Sequence, residues 1–229
     1  GPVGTSVALV AGANAFRSAD VGKFIKVYGG VIKLTIFTSA TAMTGEIMSE
    51  LSGSSTADPA AAAAGAWTLE VASWSAARGF PRTGEFHQGR LVQAGTTKQP
   101  TTWWGSASDN FEDYAVGTLA DKAVEYTIAA KRLNQIEWLA DLINLFIGTA
   151  AVEFRAKGPG VDEPLGGDVI PEVTQQTGEG GAHIQPVVVG KQILFVDRSK
   201  KRIHALGYVI EADGFQTAEL TDIAEHITG

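Results

Sequence analysis

The chain has no cysteine among its 229 residues. That excludes disulfides, thiol nucleophiles and cysteine-ligated metal, and it fits a reducing compartment. No apolar run approaches the ~20 residues a membrane-spanning helix needs, and no signal peptide is visible. Charge is sparse at 19% of residues, with a net value of −7, so the clustered basic face of a protein that grips duplex DNA is missing. What remains is 45% hydrophobic residues and 27 glycines, the composition of a soluble, turn-rich globular protein. Gly1-Pro2 reads as the scar of a protease-cleaved tag, and the chain as a segment excised from something longer. Its length suits one large β domain or two smaller ones, with enough chain to bury a real core.

Alternation with a period of two dominates the first part. Phe24, Lys26 and Tyr28 alternate with Ile25 and Val27, then Val31, Lys33, Thr35 and Phe37 with Ile32, Leu34 and Ile36. Gly29-Gly30 stands where a hairpin turn belongs. Met43, Gly45, Ile47 and Leu51 line one face of a third strand; Ile47, Met48 and Leu51 also suit a helical turn, and the preceding hairpin favours the strand. A small β domain, barrel- or sandwich-like, is therefore expected over 3–66, closed by the alanine-rich stretch 52–66 that includes the run 60–64. The extended chain resumes at Trp67.

Further on, a longer rhythm appears. Arg90-Leu-Val-Gln-Ala-Gly-Thr resembles Asn144-Leu-Phe-Ile-Gly-Thr and Gln192-Ile-Leu-Phe-Val-Asp-Arg, with Leu91, Leu145 and Leu194 spaced 54 and 49 residues apart. Units of ~40–50 residues holding several short strands are what β-propeller blades require. The region 67–229 is accordingly expected to be a partial β-propeller of about three blade-like units, and the whole chain mainly β. Residues 121–128 alternate as a strand with one buried face. Leu133, Ile136, Leu139, Leu142 and Ile143 suggest a helical turn leading into a strand at 144–149. Residues 158–181 hold seven glycines, three prolines and five acids and no Lys or Arg, so loop or edge structure is expected. A hairpin spans 191–210, and a short C-terminal helix is expected from Leu220, with Thr221 at its N-cap and Ile223 and Ile227 on its apolar side.

The candidates for chemistry are weak. His87, His183, His204 and His226 are scattered without metal-ligand spacing, and neither a nucleophile elbow nor a P-loop occurs. Gly158-Pro-Gly lacks the helix of a dinucleotide fingerprint. Glu85, Asp109, Glu112, Asp113 and Glu125 offer the residue type of glycoside hydrolysis, which needs two carboxyls ~5–10 Å apart; solvated surface acids are the favoured reading. Trp103-Trp104 offers a sugar-stacking face, but neighbours on a strand point to opposite sides, which places one of them in the core. The basic run 198–202 sits at a hairpin tip and lacks interleaved aromatics, so it does not read nucleic acid.

One stretch is dense in special residues: Trp74-Ser-Ala-Ala-Arg78-Gly79-Phe80-Pro81, then Phe86-His-Gln-Gly-Arg90-Leu91. It is followed by Thr102-Trp-Trp104-Gly-Ser106 and Asp109-Asn-Phe111. In this order the motifs resemble those of the tail nozzle proteins, also called tail tubular protein B, of short-tailed bacteriophages. The likeness extends upstream to Phe16, Asp20-Val-Gly22-Lys and the Gly-Gly hairpin. Downstream it includes Gln176-Thr-Gly178, Pro186, Gly190 to Phe195, the strand ending at Tyr208 and Leu220-Thr-Asp-Ile-Ala-Glu-His226. It covers roughly 15–228, although members of that family are much longer.

The resemblance implies a virion structural protein and not an enzyme, with no catalytic, metal or cofactor site. It implies partners of three kinds: other copies of the chain in a ring, usually of six; the tail adaptor and the fibre or spike proteins; and genomic DNA passing without specific contacts. Membrane insertion is not implied. The location is the phage tail in the virion, assembled in the host cytoplasm. The alternative is a glycan-binding or glycan-cleaving propeller of a phage tail, for which Trp103, Trp104 and the acids speak. Trp74, Arg78, Gly79, Phe80, Pro81, Phe86, Arg90, Trp104 and Phe111 are expected to build a junction: Trp74 and Phe80 as apolar anchors, Gly79 and Pro81 as bends, Phe86 to Ala94 as the first blade strand, Arg78 and Arg90 pinning carbonyls or carboxylates.

Overall fold

A computed structural model of the chain describes residues 2–51, 62, 65–129, 134–160 and 163–221. It is almost entirely β. Two compact units divide the chain, Gly1–Ser73 and Trp74–Gly229. No helix among the described residues is long and apolar enough to cross a membrane.

The first unit contains β1 (Ser6–Val10), β2 (Phe24–Val27), β3 (Gly30–Ser39), β4 (Ala42–Ser49) and β5 (Trp67–Glu70), in one antiparallel sheet of order β1-β4-β3-β2-β5. With β1 and β5 at its edges the sheet is open, not a closed barrel. Trp67 belongs here, since β5 pairs with β2 from Phe24↔Glu70 to Val27↔Trp67, so the boundary lies after Ser73 and not at 66. Strand β4 resolves the ambiguity over 42–51, and Met43 and Ile47 are buried as a strand face requires. The hairpin turn falls one residue earlier than the Gly-Gly pair: Tyr28 (φ 50°) and Gly29 (φ 72°) occupy the two left-handed positions, and Gly30 already pairs with Val27.

Ile25, Val27, Ile32 and Leu34 form the buried face with Phe16, but Ile36 is 59% exposed. A register shift between Leu34 and Ile36 explains this: one extra residue reverses the alternation, and Phe37 turns inward in its place. Asp20 is buried, and its carboxylate accepts from Lys23 Nζ (2.6 Å) and Arg17 N–H (2.7 Å). The Lys23 bond, with the Arg17 amide next, holds this carboxyl below the ordinary aspartate value.

The second unit holds three four-stranded antiparallel sheets, each with its strands in chain order. The first contains β6 (Thr83–His87), β7 (Arg90–Ala94), β8 (Thr102–Gly105) and β9 (Val124–Thr127). The second contains β10 (Ile136–Asp141), β11 (Leu145–Thr149), β12 (Glu153–Lys157) and β13 (Glu172–Thr177). The third contains β14 (Val187–Val189), β15 (Gln192–Val196), β16 (Ile203–Val209) and β17 (Gly214–Glu219). Residues 136–141 are thus a strand and not the helical turn read from Leu133, Ile136, Leu139, Leu142 and Ile143, of which Leu133 lies outside the described residues. Leu139 packs on one side of the sheet while Trp138 and Ala140 pack on the other, a period of two that the mixed apolar run concealed. Likewise Phe86 and Ala94 lie on two strands, joined by a tight turn with Gln88 (φ 48°) and Gly89 (φ 69°). The expected C-terminal helix falls mostly on 222–229 and the alanine run mostly on 60, 61, 63 and 64, all outside the described residues. Thr221 itself accepts the Ile203 N–H through its hydroxyl (3.2 Å).

The middle sheet is covered on both faces. Leu139, Leu145, Ile147 and Phe154 pack against Val92, Ala94, Trp103 and Val124 of the first sheet. Trp138, Ala140 and Phe146 pack against Ile193, Phe195 and Leu206 of the third. Trp138 lies so close to Gly148 and Gly181 that a Cβ at either position would overlap the indole. Burying each large side chain contributes about 1.5–3 kcal/mol, so these two seams carry most of the unit's stabilisation.

Candidate functional site

The motif-rich stretch begins the second unit, and Arg90 is its centre. The side chain is 2% exposed, and among the described residues no carboxylate lies within hydrogen-bonding distance of it. Instead it donates to four backbone carbonyls: Nε to Leu165 (3.1 Å), Nη1 to Ser106 (2.5 Å) and Lys122 (2.7 Å), Nη2 to Ala120 (2.5 Å). The planar fork of arginine reaches several directions at once, which an ammonium cannot do. Four of its five N–H groups thereby tie the loop around 120–122 and the segment at Leu165 to the start of β7. Gln88 adds a second tie, its Oε1 accepting the Leu165 N–H (2.9 Å). Burial draws the guanidinium below its ordinary pKa, and Asp121 and Asp168 act in the opposite direction. The sequence left carbonyls or carboxylates open as partners of Arg90; the partners are carbonyls, and that they belong to segments up to 75 residues away was not visible.

The other motif residues divide by role. Trp104, buried opposite Gln93, meets the edge of Trp74 at 5.8 Å between ring centroids, and Trp74 meets Tyr114 at 4.5 Å. The Tyr114 hydroxyl donates to the Leu91 carbonyl (3.1 Å), and burial pushes this phenol up to about 12. This aromatic group covers the side of the first sheet that faces away from the second. Gly79 (φ 86°) sits where a Cβ would come 2.5 Å from Thr97 Oγ1, so the turn needs glycine for both conformation and space. Arg78 is exposed on that turn, where its N–H donates to Ser75. Phe80 is 65% exposed and is not an anchor; Pro81 beside it is half-buried. Phe86 and Phe111, 57% and 42% exposed, make an edge-to-face pair at 5.1 Å.

Trp103 and Trp104 are both buried, at 0% and 2% exposure, so neither presents a sugar-stacking face. They do point to opposite sides, one into each packing layer, as neighbours on a strand must. Asp109, Glu112 and Glu125 are exposed, and Asp113 accepts the Ala115 N–H (2.9 Å). Glu85 accepts from Gln185 Nε2 (3.1 Å), which also donates to the Leu139 carbonyl (3.1 Å). His204 stacks on Phe195, and His226 lies outside the described residues. Among the described residues no group of three or more His, Asp or Glu side chains is placed to hold a metal ion.

A polar seam not foreseen from sequence runs where the first strands of the sheets meet. Arg82 pairs with Glu137 (3.2 Å), and His183 Nδ1 lies 2.9 Å from the Glu137 carbonyl. At the other end of β6, His87 Nδ1 and Asp141 Oδ1 are 2.6 Å apart, with His87 2% exposed. Each contact joins residues 46 to 55 positions apart. The rhythm already visible in Leu91, Leu145 and Leu194 was the signal that relates them. The arrangement fastens sheets together.

No family model matches the chain, and no curated protein matches it significantly. What the fold defines is the class: a mainly β protein of one five-stranded sheet and three four-stranded meanders.

Proposed function

We propose that this chain is part of a structural protein of a short-tailed phage virion, a segment of the tail nozzle, and that it performs no catalysis. In this reading the three meanders are consecutive units of a partial propeller, and copies of the intact protein form the distal conduit for genome exit and a platform for fibres. The observation that carries the reading is the role of the residues on which the resemblance rests. Arg90, Trp74, Trp104 and Gly79 are used to lock loops onto the first sheet, so the motif records how a particular architecture is assembled. The net charge of −7 suits a conduit past which DNA slides without adhering. Immunogold labelling of purified parent particles with an antibody to this chain tests the proposal. Labelling at the tail tip is expected; labelling of the capsid, or none on intact particles and disrupted tails alike, would sink it.

A further inference from the structure

The first unit leaves one sheet edge unguarded. Strand β1 pairs with β4 without a break from Ser6↔Glu46 to Val10↔Ala42. Just outside that ladder the Ile47 N–H donates to the Thr5 carbonyl (3.0 Å) and the Ala11 N–H to the Thr41 carbonyl (2.8 Å). Bonded residues alternate along an antiparallel pair, so Thr5, Val7, Leu9 and Ala11 turn their backbone groups to β4. Ser6, Ala8 and Val10 turn theirs outward, and these N–H and C=O groups meet no backbone partner among the described residues. Natural sheets blunt such edges with charge, proline or short strands. Among the described residues every other edge strand carries at least one acid, from Glu70 in β5 to Glu219 in β17, except β14, which is three residues long. Strand β1 is five residues long, and residues 3–16 hold neither charge nor proline.

We propose that β1 is a docking edge, to which an extended segment of a partner protein adds as a sixth, antiparallel strand. The two faces of the sheet specify that segment. On one face Val7 and Leu9 are half-buried and pack against the core of the unit, so residues set beside them must be apolar to continue it. On the other face Ser6, Ala8 and Val10 are exposed, Val10 at 82%. Val10 takes a β-branched or aromatic neighbour. Ser6 is small, and the exposed Glu46 stands beside it on β4. A lysine or arginine set opposite Ser6 reaches over the serine to that carboxylate. From its N-terminal end, opposite Val10, the segment is therefore β-branched, apolar, unrestricted, apolar and basic. Main-chain bonds supply the affinity and the alternate side chains the selectivity. The proposal rests on the first unit alone and stands or falls separately from the location in the virion.

Fluorescence anisotropy of a labelled peptide, Ser-Val-Ile-Thr-Val-Lys-Ser, against the full chain tests it. Binding at roughly 10–100 μM is expected, because an unstructured peptide is ordered as it docks. Ala8→Pro removes an outward N–H but no bond to β4, so the variant folds, as circular dichroism checks, and binds at least about tenfold more weakly. Glu46→Lys weakens binding about two- to fivefold, and a peptide with glutamate in place of lysine recovers it. Methylating peptide amides makes the same test without altering the protein. N-methylation of the threonine, whose amide faces β1, abolishes binding; N-methylation of the isoleucine, whose amide faces solvent, leaves it. No binding at about 1 mM peptide, binding indifferent to Ala8→Pro, or equal loss from both methylations would overturn the proposal. So would a dimer of the chain that Ala8→Pro dissolves and the peptide does not compete away.

Discussion

Truncating Arg90 is the sharpest perturbation of the architecture described above. Arg90→Ala removes the donors to four carbonyls, of which those of Leu165 and Ser106 are bonded in fully buried surroundings. Those of Lys122 and Ala120 lie nearer the surface, where water replaces the lost partner at small cost. A stranded buried acceptor costs about 1–3 kcal/mol, so two of them, with the lost packing of the side-chain stem, give about 4 kcal/mol. Arg90→Lys keeps the charge but offers donors from a single point. It loses roughly half of the ties and about 2 kcal/mol. Arg90→Met refills the space without any donor and should fall within about 1 kcal/mol of alanine, because the carbonyls decide the effect. Urea denaturation of the four proteins, followed by tryptophan fluorescence, gives these differences directly. If Arg90→Ala or Arg90→Met unfolded within about 0.5 kcal/mol of the wild type, the reasoning would be refuted.

Three further perturbations address separate parts of the fold. Glu153 is fully buried with Thr177 donating to it (2.6 Å), and burial raises its pKa above the ordinary 4.5. The folded state therefore binds the proton more tightly than the unfolded chain, and this group's contribution falls as pH rises from about 4.5 through the folded value. Glu153→Gln should flatten that slope and stabilise the protein at neutral pH, by about 1.4 kcal/mol for each tenfold change in the ionisation constant; unfolding measured from pH 4 to 8 checks the sign. Gly148→Ala forces a methyl into the Trp138 indole and should cost about 3 kcal/mol in a thermal melt. Trp74→Ala uncovers Tyr114, so the phenol should titrate well below about 12 in an alkaline ultraviolet titration, with about 3 kcal/mol of stability lost.

Much of the fold could be read from local chemistry. Alternation located β2 to β4, because one face of that sheet is buried and the other is wet, and the spacing of Leu91, Leu145 and Leu194 located the second strand of each later sheet. Parity was less legible. Leu91 faces away from the second sheet and Leu145 faces the first, both toward the N-terminal side of the stack, whereas Leu194 faces outward on the far side. A shift of one residue reverses a strand's faces without altering its composition. Strand β10 was hidden for a related reason: a strand packed on both sides is apolar throughout and loses its period. Of the candidate site, Arg90 was visible as a special residue beside a turn. Its carbonyl partners, and the ties of Arg82 and His87 to Glu137 and Asp141, depend on chain returning from 16 to 75 positions away, which no local pattern encodes.

The central proposal is that this chain, whose motif residues Arg90, Trp74, Trp104 and Gly79 are spent on architecture, belongs to the tail of a virion. A cryo-electron microscopy reconstruction of the parent particle tests this most directly. The account predicts density for the five-stranded sheet and the three meanders in the distal tail, repeated around the tail axis, with Arg90 buried within each copy. Density for this polypeptide in the capsid, or a complete particle whose tail lacks it, would contradict the account.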